Sequence, residues 1–232
     1  VLHLSSERKG ATMNILLVQP KMNMRPMDTQ LKTRMAPSLA LLTLTALTPE
    51  RHVVDIVNEN TDTLHIDNHY DLVAITVTVD VMPRAVEISE AFQKIGIPVV
   101  AGGPHISAVP QQAQAHFTAI CVGMAERTWQ NLLADCEVGK MQPVYQDMCN
   151  IDGSEIASPA YHKLDNRRYL YTNVISTSRY CPFKCDFCYN SSPAGLGRHL
   201  TRPIEDVLQE IKALKTNHIM FIDDNFIGDI DW

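Results

Sequence analysis

Residues 14–19, Asn-Ile-Leu-Leu-Val-Gln, form an unbroken apolar run ending at Pro20, the pattern of a strand buried on both faces of a parallel sheet. Short β-branched runs at 53–57, 72–79, 97–101 and 119–122 repeat that signal, and helical stretches around 84–95, 109–116 and 126–135 separate them. Between the first two strands, leucines at 39, 41, 42, 44 and 47 predict a buried helix over 38–48, with Pro37 at its first turn and Pro49 as its stop. Alternation of this kind predicts a flavodoxin-like, doubly wound α/β fold of five strands over residues 13–138. Ligands of such sheets bind at the carboxyl ends of the strands. The loops there are Gln19-Pro20, Thr76-Val77-Thr78, Gly102-Gly103-Pro104-His105 and Gly123-Met124-Ala125-Glu126.

From 139 to 171 the periodicity fades into turn signals such as Asp152-Gly153 and Ser158-Pro159, which reads as a linker. A strand over 172–178, a cysteine loop, a helix over 203–215 and a strand over 218–222 then predict the start of a second β/α domain at 172–232. Two strands do not close a barrel, so the sequence reads as the front of a longer protein. Residues 1–12 read as an extension before a start at Met13, with no signal-peptide pattern.

Composition narrows the class. With 45% hydrophobic residues the chain has the material for a substantial core, and no apolar run is long enough to span a bilayer. A net charge of -6, without basic clusters, argues against nucleic acid and anionic membrane surfaces and leaves small molecules as the expected partners. The six cysteines are not spread as a disulfide framework, which fits a reducing cytoplasm.

Cys181, Cys185 and Cys188 lie in one loop with spacing C-x3-C-x2-C. Three thiolates so placed reach three corners of a cubane iron–sulfur cluster and leave one iron open to a further ligand. A structural zinc loop is the competing reading, but zinc asks for four protein ligands, and Cys149 and His199 stand at no recognised zinc spacing. His65, His69, His116, His162 and His218 show no ligand-like grouping, and the methionines at 22, 24, 27 and 35 suit loop packing or an apolar cofactor edge.

The cysteine loop after a strand resembles the signature loop of radical S-adenosylmethionine (radical SAM) enzymes, and the domain before it resembles a cobalamin-binding domain. Together, over residues 13–232, they resemble the cobalamin-binding radical SAM class. That resemblance implies a 4Fe-4S cluster, S-adenosylmethionine and cobalamin as cofactors, and a partial (β/α)6 barrel as the second domain. It implies reductive cleavage of S-adenosylmethionine to a 5′-deoxyadenosyl radical, with an electron donor such as flavodoxin or ferredoxin. Most such enzymes transfer a methyl group to an unactivated carbon of a lipid or other natural product; radical cyclisation or rearrangement, as in tetrapyrrole biosynthesis, is the alternative. A non-enzymatic cobalamin or flavin sensor with a zinc loop is the third.

By the same resemblance, Cys181, Cys185 and Cys188 hold the cluster and Phe187 packs near adenine. Asp223, Asp224 and Asn225 receive the methionyl amine, and Thr76, Thr78, Gly102, Gly103, His105, Gly123 and Glu126 belong to the cobalamin loops. Met124 stands where the related loop has a glutamate. Arg198, His199 and Arg202 are candidates for pinning the cysteine loop or the cofactor, and the Asp-x-His-x-x-Gly motif of a lower axial histidine is absent, so His105 is not expected to ligate cobalt. No catalytic acid or base is assigned.

Overall fold

The computed structural model describes residues 12–147, 151–188, 190 and 199–232. Six strands, β1 (Asn14–Gln19), β2 (Val53–Asn58), β3 (Leu72–Thr76), β4 (Val99–Gly102), β5 (Ala119–Val122) and β6 (Val144–Gln146), form one parallel sheet. Their order is β2-β1-β3-β4-β5-β6, the flavodoxin-like arrangement extended by one strand. Both faces are covered, as a parallel sheet requires. Leu16 and Val18 of β1 face a core shared with α2 (Met82–Lys94), α3 (Pro104–Ala108) and α4 (Pro110–Ala113). Ile15 and Leu17 face the opposite core, shared with α1 (Leu39–Leu47) and α5 (Ala125–Glu137). Trp129 of α5 is buried there, its indole N–H donating to Thr48 Oγ1 at 2.9 Å, so the largest side chain of that core leaves no polar atom unmatched.

The first domain departs from the sequence expectation in three places. The helix expected over 109–116 is instead α3 and α4, separated at Val109 (φ -133°, ψ 53°). Pro110 disfavours a helical residue before it, and Pro104 supplies an earlier start. The sixth strand, β6, comes from the stretch read as linker. Its three residues are too few for a periodic signal, yet Tyr145 fills the α1/α5 core and its hydroxyl donates to Asp135 Oδ2 at 2.9 Å. Pro37 precedes the N-terminal cap Ser38 of α1 rather than opening its first turn.

The rest of the supposed linker is also built into the molecule. Residues 151–171 carry three 3-10 turns, and the N–H groups of Ala160, Leu170 and Tyr171 donate to the carbonyls of Leu42, Arg34 and Met35. The strand expected over 172–178 divides into β7 (Val174–Ile175) and β8 (Ser178–Arg179). β8 pairs antiparallel with β9 (Leu200–Thr201), and β7 pairs parallel with β10 (Met220–Phe221) across the intervening α6 (Ile204–Leu214). Among the described residues, no helix is long and apolar enough to cross a membrane.

Candidate functional site

At the carboxyl ends of β3, β4 and β5 lies a cavity of about 360 Å³. Its walls are Leu39, Ala40 and Leu44 of α1 and Trp129 of α5, and Ser176, Arg179, Tyr180 and Ile222 from around the cysteine-loop base close it. Thr76, Gly102, Gly103, Gly123 and Glu126, from the loops at these strand ends, line it together with Met124. Gln19, Pro20, Thr78, His105 and the four loop methionines are not among its lining residues. Thr78 is engaged locally, its hydroxyl donating to Asp80 Oδ1 at 2.6 Å. His105 sits in the first turn of α3, with its N–H on Val77 O.

The glycines have structural reasons of their own. Gly103 has φ +107°, and a Cβ there would meet Val77 O at 2.8 Å and Val77 N at 2.9 Å, so the β4 loop passes too close to β3 for any side chain. Gly123, also at positive φ, donates its N–H to Ser107 Oγ at 2.9 Å, which ties the β4 and β5 loops together at the cavity. Cys121 also lines the cavity, and burial pushes its thiol up to about 12, so it stays an uncharged wall.

Arg179 and Glu126 face each other across the cavity edge at 3.9 Å. Glu126 lies in the first turn of α5, where the helix dipole favours a carboxylate, and Arg179 also donates to Ser176 Oγ at 3.1 Å. Sequence reasoning missed Arg179, Tyr180, Ser107 and Trp129. The Ser-Arg-Tyr run next to Cys181 was the available signal for the first two; the others are read only from packing.

Cys181 and Cys188 are half-buried and Cys185 is exposed; among the described residues none of the three is in a disulfide, and the Cys188 N–H donates to Cys185 O at 3.0 Å. Phe187 is 93% exposed, away from any packed neighbour expected of an adenine wall. Among the described residues no group of three or more His, Cys, Asp or Glu side chains is gathered closely enough to hold a metal ion. Arg198 and Cys149 lie outside the described residues.

Beside the loop the carboxyl end of β10 is better formed. Asp223 Oδ1 accepts from Thr177 N and Oγ1 at 2.8 and 3.0 Å and from Ser178 N and Oγ at 2.6 and 2.7 Å. These bonds fix the carboxylate, and among the described residues its second oxygen, Oδ2, is buried without a hydrogen-bond partner. Asn225 Oδ1, Asn190 Oδ1 and His199 Nε2 are likewise buried and unpartnered, and Asn190 Nδ2 donates to Asp224 Oδ2 at 2.9 Å. Buried polar atoms without a partner are costly, and Asp223 lies just past β10 while Thr177 and Ser178, which hold it, lead into the cysteine loop.

Arg202 does not face this site. It is 2% exposed and bonds Glu210 Oε2 at 2.6 Å, Ser158 Oγ at 3.0 Å and Ser176 O at 2.9 Å, so it anchors the β7–β8 turn from behind.

No protein-family model matches the chain. It is 35% identical to the bacteriochlorophyllide d C-8(2)-methyltransferase of Chlorobaculum tepidum, over 68% of this chain and 36% of that protein. The bacteriochlorophyllide d C-12(1)-methyltransferase of the same organism is 29% identical over 96% of this chain and 50% of its own length. The hopanoid C-2 methylase of Rhodopseudomonas palustris is 28% identical over 83% and 38%. The chain thus spans about a third to a half of the curated relatives it matches, and it is a homologue of proteins named as methyltransferases and a methylase.

Proposed function

We propose that this chain is part of a cobalamin-dependent radical SAM methyltransferase. Cys181, Cys185 and Cys188 would hold a 4Fe-4S cluster with an open iron, Asp223 and Asn225 would receive the amine of S-adenosylmethionine, and the cavity beneath Arg179 and Tyr180 would take part of cobalamin. When bound, these cofactors supply one-electron reduction and methyl carriage; an external electron donor is required. The protein's own work is to fix Asp223 by four hydrogen bonds and to keep the cavity apolar. The methyl acceptor in this reading is a carbon substituent of a chlorophyll-type tetrapyrrole, which the 35% identical relative supports. The observation that carries the proposal is the Asp223 carboxylate, fixed by Thr177 and Ser178 just ahead of the three-cysteine loop, in a chain whose relatives are named methyltransferases.

Anaerobic reconstitution with iron and sulfide tests it. The expected product has thiolate-to-iron absorbance near roughly 400 nm, iron and sulfide in equal amounts, and loss of both in Cys185→Ala. Zinc without sulfide would refute the cluster, and retained absorbance in Cys185→Ala would remove that residue from it.

A further inference from the structure

Tyr180 has φ +61°, in the left-handed region that favours glycine. Among the described residues the only other non-glycine there is Lys215, and its case is ordinary: it is the C-terminal cap of α6, where that conformation ends a helix. Tyr180 ends no helix. Before it, Ser178 is held by Asp223 and Arg179 pairs with Leu200; after it comes Cys181. The strained residue is therefore pinned on its N-terminal side and leads directly into the cysteine loop. A glycine would adopt this backbone freely, yet a half-buried tyrosine occupies it and lines the cavity. Strain kept where glycine would remove it points to a task for the side chain.

We propose that Tyr180 is a positioning residue whose ring forms the cavity wall bonded directly to the first cysteine, setting the distance between a conjugated-ring cofactor in the cavity and the metal held by the loop. Its aromatic face would pack on the cofactor, and its left-handed turn would deliver Cys181. This rests on the cobalamin reading above.

The test uses the whole chain as wild type, Tyr180→Gly, Tyr180→Ala and Tyr180→Phe, with thermal unfolding and equilibrium dialysis against hydroxocobalamin read by visible absorbance. Glycine and alanine both remove the ring and differ in backbone strain, so Tyr180→Gly should melt about 3 °C above Tyr180→Ala. Both should bind hydroxocobalamin about tenfold more weakly than wild type, while Tyr180→Phe stays within about twofold. Wild-type affinity in Tyr180→Gly would overturn the role of the ring, and equal melting of the glycine and alanine variants would overturn the strain. If wild type binds no hydroxocobalamin, the cobalamin reading falls and this inference falls with it.

Discussion

Removing Glu210 should destabilise the cysteine-loop region far more than loss of a surface ion pair would. The side chains of Arg202 and Glu210 are each 2% exposed and lie 2.6 Å apart. Arg202 also donates to Ser158 Oγ and Ser176 O, which joins the 151–171 segment to the β7–β8 turn. Tyr161 Oη is 2.7 Å from both Glu210 Oε1 and Val174 O, one proton between two acceptors, and burial raises its pKa well above the ordinary phenol value. Glu210→Leu leaves the guanidinium charged, buried and short of its main partner, a loss of about 3–5 kcal/mol. Glu210→Gln keeps an acceptor and should cost about 1.5–3 kcal/mol. The double variant Arg202→Met/Glu210→Leu removes both charges and should be more stable than Glu210→Leu alone. Urea unfolding followed by tryptophan fluorescence is a suitable assay, because the Trp232 indole N–H donates to Arg202 O at 2.7 Å and reports on this corner. A cost below about 1 kcal/mol for Glu210→Leu, the range of exposed pairs, or strict additivity in the double variant, would refute the reasoning.

Gly153→Ala should lose about 3 kcal/mol in the same assay, because a Cβ would fall inside the van der Waals shell of Thr201 O, backbone that has no room to retreat. Gly103→Ala combines positive φ with a clash against Val77 and should cost about 2–3 kcal/mol, read as a lowered midpoint of far-UV circular dichroism. His52 is buried, accepts from Met13 N–H at Nδ1, and has its pKa lowered below 6.5 by burial first and by Arg51 second. The unfolded chain therefore binds more protons just below pH 6.5, so this contribution is full above that pH and is lost as pH falls through the lower folded value. His52→Asn, which keeps an acceptor, should flatten the melting-temperature slope between about pH 7.5 and 5.5; an unchanged slope would exclude His52 as its source. The salt-bridged Glu59 acts in a separate window: burial raises its pKa, but the hydrogen bond from Arg84 and its companions outweigh that, so its contribution fades only as pH falls below 4.5.

Much of the first sheet was legible because a strand buried on both faces carries its signal in consecutive residues. β1 and β5 have the bounds the apolar runs predicted, and α2 and α5 lie within a few residues of theirs. β6 was illegible because its three residues enter the sheet through Tyr145 and through pairing with β5, both long-range contacts. The 139–171 stretch has the turn chemistry of a linker, and it has turns; its packing against Leu42, Thr201 and Arg202 depends on partners distant in sequence.

The site divides in the same way. The sequence by itself determined the grouping of three cysteines within eight residues and the glycine-rich strand ends, because both are properties of neighbouring positions along the chain. Only the tertiary structure decided that Thr76, Gly103, Gly123 and Glu126 share one cavity with Arg179 and Tyr180 while Thr78 and His105 lie outside it. It also decided that Asp223 is locked by Thr177 and Ser178 and that Arg202 is tied to Ser158, Ser176 and Glu210. Those facts depend on burial and on hydrogen-bond partners up to 46 positions away, and proximity of that kind is a property of the folded chain rather than of any local run of residues.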